Sequence, residues 1–271
     1  MSKEEGSKLI LNFRYEGSSF FDFLRVEYPH FLPHSNLSPD QVREVAQKAI
    51  HGTTVLALTY QEGVVMGGDR MATEGFQVSS RRIEKVYKAD EHTAIAIAGA
   101  AGPSIELARL FQTELEHYEK IEGEELVLDG KANKLAQMVR QNLPAAMQGL
   151  IVVPLLAGYD TRRKVGRIFK YDITGGRYEE EDFYAIGSGG KDARSTLKKL
   201  YVKNLSREEA ITLALTALFD AADEDIGTGG PDLIRGIFPS MKMITSAGMS
   251  DVSESEMKSL AEIVLNERRD G

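Results

Sequence analysis

The chain of 271 residues contains no cysteine. That excludes disulfides, thiolate zinc sites and a cysteine nucleophile, and it fits a reducing cytoplasm. Histidine is nearly as scarce. Three of the five, His30, His34 and His51, fall in the first 52 residues, leaving His92 and His117 beyond them. His92 reads as part of an exposed turn and His117 as a surface residue of a charged helix, so neither a metal cluster nor a serine-histidine-aspartate triad is expected. No stretch approaches the roughly 20 apolar residues that span a bilayer. The apolar run Leu9-Ile10-Leu11 follows acidic Glu4 and Glu5 and precedes Asn12 and Arg14, which is not the pattern of a secretory signal. With a net charge of -8 and a pI near 5.3, the chain lacks the broad basic surface that binds nucleic acid or anionic lipid. No cofactor, nucleic acid or membrane partner is expected.

What is present is enough apolar material, 42% of residues, for one large domain with an appendage. Residues 1–52 differ from the rest. They hold Phe13, Tyr15, Phe20, Phe21, Phe23, Tyr28 and Phe31, a third of the chain's 11 Phe and 10 Tyr, too aromatic for a disordered leader. Pro29, Pro33 and Pro39 divide this segment, and Ser38-Pro39-Asp40 reads as a helix start. The leader is expected to be ordered and to need something to pack on.

From residue 53 the pattern is that of strands: 53–60 and 63–68 as a hairpin, then 93–98. Two one-sided helices follow, carrying Leu107, Leu110, Phe111, Leu115 and Tyr118, then Leu135, Met138, Val139 and Leu143. Strands resume at 151–158, 165–172 and 183–187, helices at 192–203 and 207–223, and a last strand at 241–246 precedes a C-terminal helix. Grouped strands and paired helices describe a layered α+β protein rather than a βαβ repeat.

A hydrolase without cysteine or a usable histidine can still activate a hydroxyl with a lysine or a terminal amine. Cleavage after Gly52 would put the Thr53 hydroxyl and a free α-amine, with pKa about 7.7 to 8.0, on one residue. Taken alone, Gly52-Thr53-Thr54 reads more simply as a turn glycine opening a β-branched strand. Gly67-Gly68-Asp69-Arg70-Met71-Ala72-Thr73 reads by itself as a sharp turn ending a strand. In Arg81-Arg82-Ile83-Glu84-Lys85-Val86-Tyr87 the lysine can equally belong to a solvated charge run. Together the spacings are specific: Asp69 lies sixteen residues after Thr53, Lys85 another sixteen on, and Ala98-Gly99-Ala100-Ala101 follows.

This combination resembles the proteasome β-subunit family over essentially all of residues 53–271. Asp225-Ile226-Gly227-Thr228-Gly229-Gly230 adds to the likeness by matching the family's Asp-x-x-Ser-Gly-Gly segment. The leader together with the run from Ala222 to Phe238 resembles actinobacterial β subunits in particular. The resemblance implies the four-layer αββα sandwich of N-terminal nucleophile hydrolases. It implies a leader, residues 1–52, removed by the chain's own Thr53 attacking Gly52, and a threonine endopeptidase domain at 53–271. Thr53 would be the nucleophile, Lys85 the cation beside it, Asp69 the group holding Lys85 charged, and the Gly99 amide the oxyanion donor. Ser188, Asp225 and Thr228 would support the terminal amine. Ala72, Ile83, Tyr87, Ile97 and Ala101 would line an apolar pocket for the residue preceding the cleaved bond (P1), with Thr73 giving backbone contacts. Two departures stand out: Thr228 occupies a position where the family commonly has serine, and Met71 one where it commonly has arginine.

The same resemblance implies a cytoplasmic particle of two stacked heptameric β rings capped by α rings. It further implies an ATP-driven unfoldase and proteins tagged with a small ubiquitin-like modifier. Two other readings share part of the pattern: a dodecameric bacterial threonine peptidase without α subunits, and a catalytically silent ring subunit. The segment 225–230 and the long leader argue against the first, and the joint presence of Thr53, Asp69 and Lys85 against the second.

Overall fold

The structure, a computed structural model, describes residues 15, 20–29, 52–74 and 77–270. The helix start expected at Ser38-Pro39-Asp40 lies outside them, as do His30, His34 and His51. In chain order the elements are α1 (Phe20–Glu27), β1 (Thr54–Tyr60), β2 (Gly63–Gly68), β3 (Ala72–Glu74), β4 (Gln77–Ser80), β5 (Val86–Asp90) and β6 (Thr93–Gly99). Then come α2 (Ala101–Glu122), α3 (Leu128–Gln141), α4 (Leu143–Ala146), β7 (Val152–Asp160), β8 (Val165–Tyr171), β9 (Arg177–Glu180) and β10 (Phe183–Gly187). The chain closes with α5 (Gly190–Leu200), α6 (Arg207–Glu224), β11 (Ser240–Thr245), β12 (Gly248–Asp251) and α7 (Glu254–Asp270).

Two antiparallel five-stranded sheets, ordered β10-β1-β2-β11-β12 and β5-β6-β7-β8-β9, form the centre. They pack face to face between two helical layers, the expected αββα sandwich. The period-two rule shows how each strand feeds two layers. In β1, Val55 and Ala57 enter the core between the sheets, while Leu56 and Leu58 pack under α5, α6 and α7. In β6, Ala94, Ala96 and Ala98 face the other sheet, whereas Ile95 and Ile97 face α2 and α3. Strands buried on both faces read as unbroken apolar runs, which is why these were visible in the sequence. Four unanticipated strands, β3, β4, β9 and β12, have three or four residues, too few for a period to register. The fifth, β5, was hidden in a run of charges, although Val86 and Ala89 are buried.

Helix boundaries follow local chemistry. Ser206 and Glu209 form a reciprocal capping box that starts α6, and α2 ends at Gly123 in the left-handed region, φ 75°. One sequence expectation fails: Gly67 and Gly68 are not a turn but the paired end of β2, opposite Leu56 and Val55. A Cβ on Gly68 would lie 3.0 Å from Val55 Cγ1 and 3.2 Å from Val86 Cγ2, so glycine here lets the two sheets approach.

The described part of the leader, α1, lies against α2. The Phe20 ring centroid is 5.7 Å from that of His117, and Phe23 contacts Tyr15, Phe20 and Tyr28. His117 is therefore half-buried rather than a surface residue, and His92, also expected to be exposed, is half-buried as well.

Arg167 on β8 is 5% exposed. It grips Glu179 of β9 in two bonds of 2.7 Å, Asp160 of β7 at 2.9 Å and Asp129 of α3 at 2.7 Å. It thereby fastens three strands to a helix. Its hydrogen bonds hold Asp129 down to about 2 and keep Glu179 below its ordinary range. Because both carboxylates are more acidic folded than unfolded, their stabilisation is complete above about pH 5 and is lost as pH falls through their lowered folded values, that of Asp129 lying at about 2. Arg167→Met should cost on the order of 3 kcal/mol in urea unfolding at pH 7, near the lower end for breaking a buried pair since Asp129 and Glu179 are partly solvated. It should also flatten the acid limb of stability below about pH 5.

Candidate active site

The two hairpins explain how distant residues meet. β1 runs out and β2 returns, so Thr53, just before β1, and Asp69, just after β2, sit at one end of the first sheet. The pairing continues past the strands: the Asp69 amide donates to Thr54 O at 3.0 Å, and the Thr54 amide donates to Asp69 Oδ1 at 2.8 Å. β5 and β6 do the same in the second sheet, bringing Lys85 and Gly99 to one end. Stacking the sheets aligns the two ends.

There, Lys85 Nζ donates to Asp69 Oδ1 at 2.7 Å. Asp69 is fully buried and Lys85 6% exposed, so the solvated-charge reading of Lys85 does not hold. Burial pushes the lysine below its ordinary value, against the opposing pull of Asp69 and, more weakly, Asp225. The other carboxylate oxygen, Oδ2, accepts from the amides of Met71 at 2.9 Å and Gly229 at 3.0 Å. This answers the Met71 departure. The segment after Asp69 is held through its backbone amide, and the Met71 side chain is buried in the wall beside Gly229.

Thr53 is 5% exposed. Its hydroxyl donates to Gly52 O at 2.6 Å, and Lys85 Nζ donates to the same oxygen at 3.2 Å. The Thr53 amide donates to Ser188 Oγ at 3.3 Å, and Ser188 Oγ in turn donates to Asp225 Oδ2. Thr228 Oγ1 donates to that carboxylate oxygen at 2.6 Å and lies 2.6 Å from Thr54 Oγ1. Thr53, Asp69, Lys85, Ser188, Asp225 and Thr228 thus form one connected network. Gly99 lies at its edge. Its φ of 131° and a would-be Cβ 2.1 Å from Ile151 O require glycine. Among the described residues, however, its amide makes no bond to Gly52 O.

Beside Thr53 a pocket is lined by Ala72, Ile83, Tyr87, Ile97 and Ala101, together with Gly52, Lys85 and Gly99. Thr73 is not in this wall; it pairs with Val78 in the β3–β4 ribbon. The Tyr87 hydroxyl donates to Glu84 O at 2.6 Å, and burial, helped by Glu84, pushes it up to about 12, so it stays neutral. Among the described residues no three His, Asp or Glu side chains converge as a metal site.

Sequence reasoning missed four participants. The Thr54 hydroxyl completes the Thr228 contact. Ser104 and Ile105 line the pocket; they stand one turn beyond Ala101, a helical spacing that could have found them. Gly227 had no such signal. It packs backbone to backbone on Gly52, where a Cβ would fall 2.3 Å from Gly227 O, and 175 residues separate the two in sequence.

The family profile described as proteasome subunit matches residues 49–233. A proteasome subunit beta of Streptomyces griseus is 50% identical, with 93% of this chain and 89% of the relative covered. Proteasome subunit beta 1 of Rhodococcus erythropolis is 52% identical, covering 95% and 92%. A proteasome subunit beta of Jonesia denitrificans is 51% identical, covering 93% and 83%. The chain belongs to the proteasome subunit family. Membership makes it a component of a proteasome core, and the fold is the sandwich of N-terminal nucleophile hydrolases implied by the resemblance. No helix among the described residues of this proteasome subunit is long and apolar enough to cross a membrane.

In this subunit the Asp69–Lys85 pair is buried, so losing one partner strands the other. Asp69→Asn should destabilise the chain by about 3 to 5 kcal/mol, and adding Lys85→Met should recover part of that loss, both read from urea unfolding. Equal stability of the single and double variants would show that the pair is not what Asp69 supports.

Proposed function

We propose that this proteasome subunit is the precursor of a threonine endopeptidase in which residues 1–52 are a self-removed leader and residues 53–271 the protease domain. The observation that carries the reading is the convergence on Gly52 O of the Thr53 hydroxyl at 2.6 Å and the Lys85 ammonium at 3.2 Å. A nucleophile adjoins the bond to be cut, and a cation adjoins the oxygen that becomes negative.

In the uncut chain no α-amine exists, so a water takes the Thr53 Oγ proton as Oγ bonds to the Gly52 carbonyl carbon. Charge collects on Gly52 O, where Lys85 stabilises it. The carbon–nitrogen bond then breaks and the Thr53 nitrogen takes up a proton, leaving Gly52 esterified to Oγ. Water hydrolyses the ester, releasing the Gly52 carboxylate and freeing both the hydroxyl and the amine of Thr53. The new amine, with a reference pKa of about 7.7 to 8.0, serves as base in later cycles. Ser188, Asp225 and Thr228 hold that nitrogen and relay its proton, and the Gly99 amide serves the oxyanion once an external substrate replaces Gly52.

By family likeness the working form is a cytoplasmic barrel of paired heptameric β rings capped by proteasome α subunits. An ATPase ring feeds it tagged proteins. The Lys85–Asp69 pair and the meeting of Thr53 and Lys85 on Gly52 O favour this over a silent ring subunit.

Intact mass on assembly with an α partner should show loss of residues 1–52 from the wild type and their retention in Thr53→Ala. Leader loss from Thr53→Ala would sink self-cleavage. Fluorogenic peptides given to the leader-free particle should be cut after leucine or an aromatic residue at least about tenfold faster than after glutamate, because the pocket buries carbon and its one cation, Lys85, is already paired with Asp69. Equal rates would overturn the assigned pocket.

A further inference from the structure

Ser104 is 6% exposed and its hydroxyl has no hydrogen-bond partner. It lies in the wall of the pocket beside Thr53, on the face of α2 that also presents Ala101 and Ile105. Every other polar side chain of that wall is engaged. Thr53 Oγ donates to Gly52 O and Lys85 to Asp69, while Glu84 accepts from the Val86 amide and Ser240 Oγ, and Tyr87 donates to Glu84 O. A helical serine or threonine ordinarily bonds the carbonyl one turn back, as Thr113 does to Arg109 and Thr216 to Thr212. Ser104 does not. A buried hydroxyl left unpaired weakens the native state unless something outside the chain satisfies it.

Resting on the peptidase reading, we propose that Ser104 is a specificity-determining residue, its hydroxyl pairing with the polar tip of the substrate's P1 side chain. Ala72, Ile83, Ile97, Ala101 and Ile105 would surround a long apolar body, and Ser104 would meet a neutral hydrogen-bonding group at its end. Tyrosine fits that description and phenylalanine lacks the tip. A site built around a hydrogen bond discriminates against the analogue that cannot make it. Gly52 belongs to the same wall and leaves with the leader, so the mature pocket is more open than the uncut one.

The test uses the assembled, leader-free particle and two fluorogenic peptides identical except for tyrosine or phenylalanine at P1. Ser104→Ala should lower the tyrosine-to-phenylalanine ratio of kcat/KM by about three- to tenfold, the worth of one neutral hydrogen bond, through loss on the tyrosine peptide. Ile105→Val, which reshapes the wall but keeps the hydroxyl, should leave the ratio unchanged. An unchanged ratio in Ser104→Ala overturns the role of Ser104 while leaving the peptidase reading intact, as does an equal fall in Ile105→Val. No hydrolysis of either peptide by the wild-type particle overturns both.

Discussion

The carboxylate of Asp69 is the point on which the rest of the site depends. Buried completely, it holds the Lys85 ammonium and three backbone amides, those of Thr54, Met71 and Gly229. These four groups come from β1, the segment after β2, the approach to β5 and the loop after α6. A buried ion pair is costly to desolvate and is retained only where its geometry and remaining hydrogen bonds are satisfied. Here the satisfaction is complete, and it fixes the position of Lys85 against Gly52 O. The neighbouring carboxylate, Asp225, plays the equivalent part on the other side of Thr53 through Ser188 and Thr228.

The sandwich makes such a meeting possible. Each hairpin returns its chain to where it began, so the ends of β1 and β2 coincide, as do the start of β5 and the end of β6. The alanine face of β6 and the glycine end of β2 thin the layer between the sheets, which brings those two ends within hydrogen-bonding reach. Larger side chains there would push the sheets apart, and with them Lys85 from Asp69.

The segment before Thr53 and the loop 225–230 impose a further constraint. Gly52 and Gly227 pass each other without room for a side chain, so the Gly52 carbonyl is held by backbone contact as well as by Lys85 and Thr53. The aromatic helix α1, seated on α2, lies on the helix that also carries the pocket residues Ala101, Ser104 and Ile105. Leader packing and pocket wall therefore share one element.

Much of this was legible in the residues themselves. Apolar runs on doubly buried strands and helical spacing in α2 and α3 set out the layers, because burial on two faces or one leaves a period that neighbours in sequence reveal. The absence of cysteine and the poverty of histidine directed attention to Thr53, and the sixteen-residue spacings to Asp69 and Lys85 reflect the length of two hairpins. Other features were open to misreading because they depend on partners far along the chain. Gly67-Gly68 looked like a turn and is a close contact between sheets. Lys85 could have been a solvated charge and is buried against Asp69. Met71 raised doubt about a loop that backbone amides secure, and nothing near Gly227 in sequence pointed to its contact with Gly52. Local pattern determined the elements and singled out Thr53, Asp69 and Lys85 by their spacing; only the stacking of two sheets decided which charges are desolvated, which glycines touch and that the Ser104 hydroxyl is left unpaired.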